Sequence, residues 1–350
     1  MEAPASGAWA ALGQAMSEAE RLVTAAAPDA GDRVEGLGYL ARLFASTLET
    51  GFSPQERTVG GLYYGWMKLG GYNPDYVMGR APLDPKGAYR LAGCANDAAR
   101  FAIGVYTASG AGLDLDGYVT AGELDLDGDG RFALQIGASL GGRNALALKP
   151  TSNLLITRAL MLRPEGRRPE VALTRLDGAL PAPSPEPLTS AAADAKLTTA
   201  ANQALMNLRR FLHWSEVIAS RPNEMTPLAE ELDQAVRGDP DTRYYSGYFD
   251  LEADQALVIE LPAIACPYRA IQALNHWLEP IPGANLHHAN WRPEADRTVR
   301  IVAARRDPGM ANWLDVGGRR RGALLYRTVG ADIAIVPKAR LTTFSPERSL

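Results

Sequence analysis

Apolar residues recur along this chain at two spacings, and the change from one to the other divides it. Between residues 4 and 50, Leu12, Met16, Leu22, Val23, Leu37, Leu40, Leu43 and Phe44 fall at helical intervals in an Ala-rich stretch broken near Pro28 to Gly31. That spacing predicts two or three helices. From Tyr63 the texture changes. Gly60-Gly61, Gly70-Gly71 and Asn73-Pro74-Asp75 punctuate short aromatic pieces, and residues 99–107, 117–124, 131–136, 153–160 and 170–175 read as strands. Residues 195–220 return to helix, with Leu197, Ala200, Ala204, Leu208, Phe211 and Leu212 as the apolar stripe. Beyond Tyr244 the pattern is β almost to the end, with strands expected over 244–251, 256–261, 268–278, 298–306, 322–329 and 333–337.

These elements predict a mainly β (α+β) protein: two β-sandwich or jelly-roll-like halves with N-terminal and central helices. The expected divisions are N-terminal helices over 1–58, a first β-rich domain over 59–176, a linker with central helices over 177–240, and a C-terminal β-sandwich domain over 241–350. Pro181, Pro183, Pro185 and Pro187 stand at alternate positions, the composition of an extended linker. The 34 glycines and 24 prolines supply the turns that many short strands need.

Composition narrows the function classes. The chain of 350 residues carries a net charge of −4, so the whole molecule lacks the positive field of a nucleic-acid binder. No run approaches the ~20 apolar residues of a membrane-spanning helix, so no membrane partner is expected. The N-terminus Met-Glu-Ala-Pro does not read as a signal peptide. Cys94 and Cys266 are the only cysteines, which argues against a disulfide framework and for a cytoplasmic location.

Three short motifs read as structure. The segment from Leu124 to Arg131 is rich in Asp-Gly pairs, but counting from Asp125 an EF-hand would need Glu at the position held by Ile136. Asp125, Asp127 and Asp129 are therefore expected in tight turns, with no metal. Gly137-Ala138-Ser139-Leu140-Gly141 has the spacing of a nucleophile elbow, yet Pro150 and a strand follow where a helix is required. The same glycines lack the spacing of a phosphate or dinucleotide loop, and no cofactor is expected.

Candidate chemistry gathers between residues 268 and 327. His276, His287 and His288 fall within thirteen residues, while His213 stands apart on the central helix. Histidine suits proton transfer near neutral pH. On a strand over 268–278, His276 would share a face with Gln272 and Leu274, with Asn275 and Trp277 facing the other way. The loop from Asp307 to Gly318 adds Asp307, Asn312, Trp313 and Asp315, and is too long for a simple hairpin. Nine arginines lie between Arg292 and Arg327 against four acids, a local excess that favours an anionic ligand. Arg327 shares a strand face with Ala323 and Leu325 and is expected to point inward.

Asn275-His276-Trp277, Arg306-Asp307-Pro308-Gly309, Asn312-Trp313-Leu314-Asp315 and Arg327 together resemble a bacterial domain-of-unknown-function family, the one numbered twelve-fourteen. Asp241-x-Arg243-Tyr244-x-x-Gly247-Tyr248 and Asn73-Pro74-Asp75 fit the same pattern. The likeness is good over roughly residues 240 to 340. It implies a β-sandwich and brings no established reaction. Family members commonly carry a histidine where this chain has Arg319.

The expectation drawn from these residues is an enzyme, a hydrolase or lyase, using cofactor-independent acid–base chemistry on a polar substrate with anionic or hydroxyl groups. His276 or His288 would carry the proton and Asp307 or Asp315 would orient it. Arg305, Arg306 and Arg327 would hold negative charge, with Asn275, Trp277, Asn312 and Trp313 completing the walls. A non-catalytic small-molecule or glycan-binding protein, or an assembly subunit, are the alternatives, and a homo-oligomer is left open.

Overall fold

Strand alternation organises the molecule into four sheets, seen in a computed structural model that describes residues 6–67, 70–109, 112–180, 187–236 and 238–343. Sheet I has six strands in the order Thr58–Val59, Leu62–Tyr63, Tyr76–Pro82, Leu154–Leu160, Arg100–Ser109, Gly112–Thr120. Sheet II orders Glu170–Arg175, Tyr89–Cys94, Arg131–Ala138 and Ala145–Leu148. One face of each is apolar, and Leu91, Leu134 and Leu173 of sheet II meet Ile103, Val105 and Leu155 of sheet I in one core.

Sheet III runs Met225–Pro227, Thr242–Asp250, Arg321–Val329, Tyr268–Leu274, Pro280–His287, and sheet IV runs Trp313–Asp315, Val299–Ala304, Gln255–Leu261, Lys338–Thr343. Between them Phe249, Leu257, Ile259, Ile271, Leu324 and Tyr326 form the second core. Both pairs of sheets are sandwiches, antiparallel except for two short edge pairings. The fold is thus mainly β with added helices, as the pattern predicts.

Helices α1 (Ser6–Ala26), α2 (Ala30–Phe52) and α3 (Ser190–Ala219) bundle through Leu12, Val23, Leu43, Leu197 and Leu208. Asp29 caps α2 by accepting the Asp32 N–H at 3.0 Å. A short helix, α4 (Glu230–Val236), leads back to sheet III. Among the described residues, no helix is long and apolar enough to cross a membrane.

Several expected boundaries move. The run 333–337 is not a strand. Its Ile333, Ile335 and Val336 are exposed, and the Ala331 and Ile333 carbonyls accept from the Arg243 guanidinium instead of a ladder. The edge strand forms later, over Lys338–Thr343. The strand expected over 268–278 stops at Leu274. Pro181, Pro183 and Pro185 lie outside the described residues.

Candidate functional site

The residues singled out around the Asp307–Gly318 loop build the loop itself. Strands Val299–Ala304 and Arg321–Val329, on either side of the loop, lie in different sheets, so this loop crosses from sheet IV to sheet III. Asp307 accepts the Gly309 N–H at 2.8 Å and Asp315 accepts the Gly317 N–H at 2.7 Å. Both glycines have positive φ, which these turns require. Asn312 is buried, accepts the Arg292 N–H at 2.7 Å and donates to the carbonyls of Arg292 and Arg300. Trp313 donates its indole N–H to the Ala304 carbonyl at 3.1 Å, and Arg305 donates to Gly318. Arg306 is exposed.

His276 and its neighbours serve the helix–sheet junction. Asn275 closes the turn after Leu274, accepting the N–H groups of Trp277 and Glu279 at 3.0 Å each. Trp277 stacks on Tyr39 at 6.4 Å and donates to the Asp32 carbonyl at 2.8 Å. Its ring leans on Gly36 of α2, where a Cβ would sit 2.6 Å from the indole. His276 is buried beneath α3. The Tyr248 hydroxyl shares a hydrogen bond with His276 Nδ1 at 2.7 Å, and Ser215 donates to the His276 carbonyl at 2.6 Å. Burial pushes the imidazole pKa down to about 4, so the ring is neutral at pH 7. His288 lies on a different edge, against the Tyr268 ring at 6.0 Å, and burial with the neighbouring His287 also lowers its pKa.

The expected convergence of His276, Asn312, Trp313, Asp315 and Arg327 on one cavity therefore does not occur. The reason is sheet membership, which local alternation does not specify. The loop belongs to sheet IV and the sandwich core, whereas Arg327 stands on the outer face of sheet III and His276 is sealed under α3. Neither Asp307 nor Asp315 hydrogen-bonds to His276.

Arg327 opens onto a different cavity, of about 230 Å³, between the outer faces of sheets I and III. Alternation selects its walls. Tyr76, Met78 and Arg80 come from one strand of sheet I and Ile156 and Arg158 from its neighbour. The register sets Met78 opposite Arg158 and Arg80 opposite Ile156, so the two guanidiniums are diagonal neighbours on one face. From sheet III, Tyr244 pairs with Arg327, whose guanidinium lies over the Tyr244 ring at 5.7 Å. Trp214 and Ile218 of α3 and Leu228 and Leu232 close the remaining side.

The charges in this cavity are unbalanced. Arg327 is buried and donates to Gln272 Oε1 at 2.6 Å and to the Gly71 carbonyl, both neutral acceptors. Arg158 donates to the Tyr106 hydroxyl at 2.5 Å and lies over that ring at 5.3 Å. Arg80 makes no hydrogen bond or ion pair with a described residue. Over a third of its surface is open, yet desolvation and the nearby Arg158 lower its pKa. Arg80 stands at the mouth of the cavity, partly open to solvent. Tyr76 is 8% exposed and its hydroxyl has no partner among the described residues. The carboxylate in the wall, Asp239, is already held by Arg100 at 2.8 Å. Arg80, Arg158, Tyr76, Tyr244 and Trp214 escaped the sequence reading, although an arginine inside an apolar strand was the signal that pointed to Arg327. Among the described residues no group of three His, Cys, Asp or Glu side chains is placed to hold a metal.

Two sandwiches with a cationic cavity between them define the class of architecture. Comparison with known proteins places it further. Residues 220–334, about a third of the chain, match the family described as Protein of unknown function (DUF1254). The matching family is thus not the one numbered twelve-fourteen. The Asn312-Trp313-Leu314-Asp315 string that suggested it is a set of loop-building residues, and turn chemistry of that kind is a weak discriminator between β-sandwich families. The crystal structure of an uncharacterized protein from Burkholderia cenocepacia is similar over 96% of each chain, with a TM-score of 0.85 and 27% identity. The VPA0106 protein from Vibrio parahaemolyticus shares the fold at 12% identity and a TM-score of 0.50, over 87% of this chain and 98% of that one. No curated protein matches.

Proposed function

We propose that this protein binds a small anionic organic molecule in the cavity between sheets I and III. The observation that carries the reading is that Arg80, Arg158 and Arg327 line one cavity, and among the described residues none of them is ion-paired. Arginine stays charged at any physiological pH. An unpaired buried charge costs several kcal/mol, so the buried Arg158 and Arg327, with the open Arg80 beside them, call for negative charge from solution. Donors outnumber free acceptors there, which suits a carboxylate, sulfate or phosphate group.

The acid–base enzyme reading receives less support, since no histidine lines the cavity and Asp239 is engaged by Arg100. A cytoplasmic location fits the two free thiols of Cys94 and Cys266. Calorimetric titration of wild type and Arg80→Met with phosphate and with simple carboxylates tests the binding reading. Saturable heat with wild type, lost in Arg80→Met, is the expected result. Equal binding by the two proteins would remove the arginine cluster from the site.

A further inference from the structure

We propose that the ligand is a slender amphiphile, an oxyanion head carried on a linear apolar tail of medium length. This rests on the reading of the cavity as an anion site and adds the shape and chemistry of what fills it. The strand Arg321–Val329 supplies the ruler. Its cavity face carries Ala323, Leu325, Arg327 and Val329 in alternate positions, and its chemistry changes along that line. At the Ala323 end, Phe211, Trp214 and Ile218 of α3 pack over Ala323, Leu325, Leu274 and Leu278. At the Arg327 end, Tyr244 lies beneath the guanidinium and the orphaned Tyr76 hydroxyl stands close by, since Tyr76, Tyr268 and Val329 share one cluster. Four residues separate Ala323 from Arg327, about 13 Å at ~3.3 Å per residue.

The cavity is therefore polar at one end and apolar at the other. Its volume of about 230 Å³ falls a little below the ~300–1,000 Å³ of common ligand pockets, which spread over that length makes it narrow. The packing at the apolar end is incomplete. Trp214 and Ile218, one helical turn apart on α3, are only half-buried and both line the cavity. Leu228, whose N–H donates to the Tyr244 carbonyl at 3.0 Å, and Leu232 line the cavity nearer the Arg327 end. A bare inorganic anion would satisfy the arginines and leave the half-buried Trp214 and Ile218 side chains against water. A tail would cover them.

A chain-length series distinguishes this from simple anion binding. Wild type is titrated calorimetrically with inorganic phosphate, acetate, butanoate, hexanoate, octanoate and 1-octanol, and Trp214→Ala and Ile218→Ala with acetate and octanoate. Each added methylene should tighten carboxylate binding by roughly fourfold while the tail remains within the apolar end. Octanoate should lose at least tenfold in each variant, with acetate unchanged. Thermal melts of the ligand-free variants confirm that they fold. If affinity is flat from acetate to octanoate, the amphiphile is wrong and the anion site stands. If 1-octanol binds as well as octanoate, the arginines play no part and both readings fall. If no anion binds at all, both fall equally.

Discussion

The chain keeps arginines in two places and uses them in opposite ways. Those of the crossover between sheets IV and III, from the exposed Arg320 to the half-buried Arg319 and Arg321, stand beside carboxylates. Arg319 reaches Glu35 at 2.5 Å, Arg320 reaches Asp250 and Glu252, and Arg321 reaches Asp29 at 2.8 Å. These pairs tie helix α2 and the strand ends to the crossover. Each contributes little alone, because water and salt screen exposed charges. The three arginines of the cavity stand on apolar strands, with neutral partners or none. Density of charge along the sequence marked a solvated seam. Isolation of a charge among apolar neighbours marked the hollow interior.

The same contrast separates residues that hold the fold from residues that cost it something, and substitution can break or sharpen it. The largest effect belongs to Trp277→Ala. The indole is 2% exposed, stacks on Tyr39, fills the cradle at Gly36 and holds the Asp32 carbonyl. A loss of ~3–5 kcal/mol in chemical denaturation is expected for an aromatic truncated in such a place, with anion binding retained. A loss below ~1 kcal/mol, within the range of surface substitutions, would mean that Trp277 is not the anchor of the helical bundle.

His276 gives the next effect, and it depends on pH. Its folded pKa of about 4 lies below the ordinary value of 6.5. The neutral ring's contribution is then complete above about pH 6.5 and is lost as pH falls towards 4. A shift of that size is linked to roughly 3 kcal/mol across the window. Denaturation midpoints of wild type should decline from pH 6.5 to 4 more steeply than those of His276→Gln. Parallel declines would show that His276 does not titrate with unfolding.

Asn312→Ala should follow, at ~2–3 kcal/mol, because it strands a buried N–H and two carbonyls that the amide now satisfies. If Asn312 belonged to a ligand site, the variant would instead fold normally and bind less. Stability measured together with an anion titration separates the two.

How far the sequence could be read follows from the same physics. Strands with strict alternation, such as Arg131–Ala138 and Glu170–Arg175, were visible as such. Pro280–His287 was not, because Pro280, Pro282 and Gly283 imitate a loop. Tyr76–Pro82 was hidden in the same way by Gly79 and Pro82. Sheet membership was out of reach. Two strands joined by a twelve-residue loop can pair or can belong to opposite layers of a sandwich, and their local patterns are the same. That one ambiguity sent His276 and the Asp307–Gly318 loop to an imagined common pocket. Arg327 was legible because Ala323 and Leu325 flank it at period two. Arg158, between Ile156 and Leu160, carried the same mark.

The smallest expected change in stability is the most telling. Arg80→Met should leave the ligand-free protein about as stable as wild type, since an open guanidinium with no described partner contributes little to folding. Nothing is stranded by the change, because Arg80 holds no described partner. It also relieves the repulsion from Arg158, its diagonal neighbour across the two strands. Binding of a carboxylate should fall at least tenfold, the scale of a lost charge-assisted hydrogen bond. The opposite outcome, a clear loss of stability with unaltered anion binding, would make Arg80 a structural residue and leave the cavity with two arginines that already have neutral partners. Urea denaturation with and without saturating octanoate reads both quantities in one experiment. Octanoate should raise the wild-type midpoint and leave that of Arg80→Met nearly unmoved.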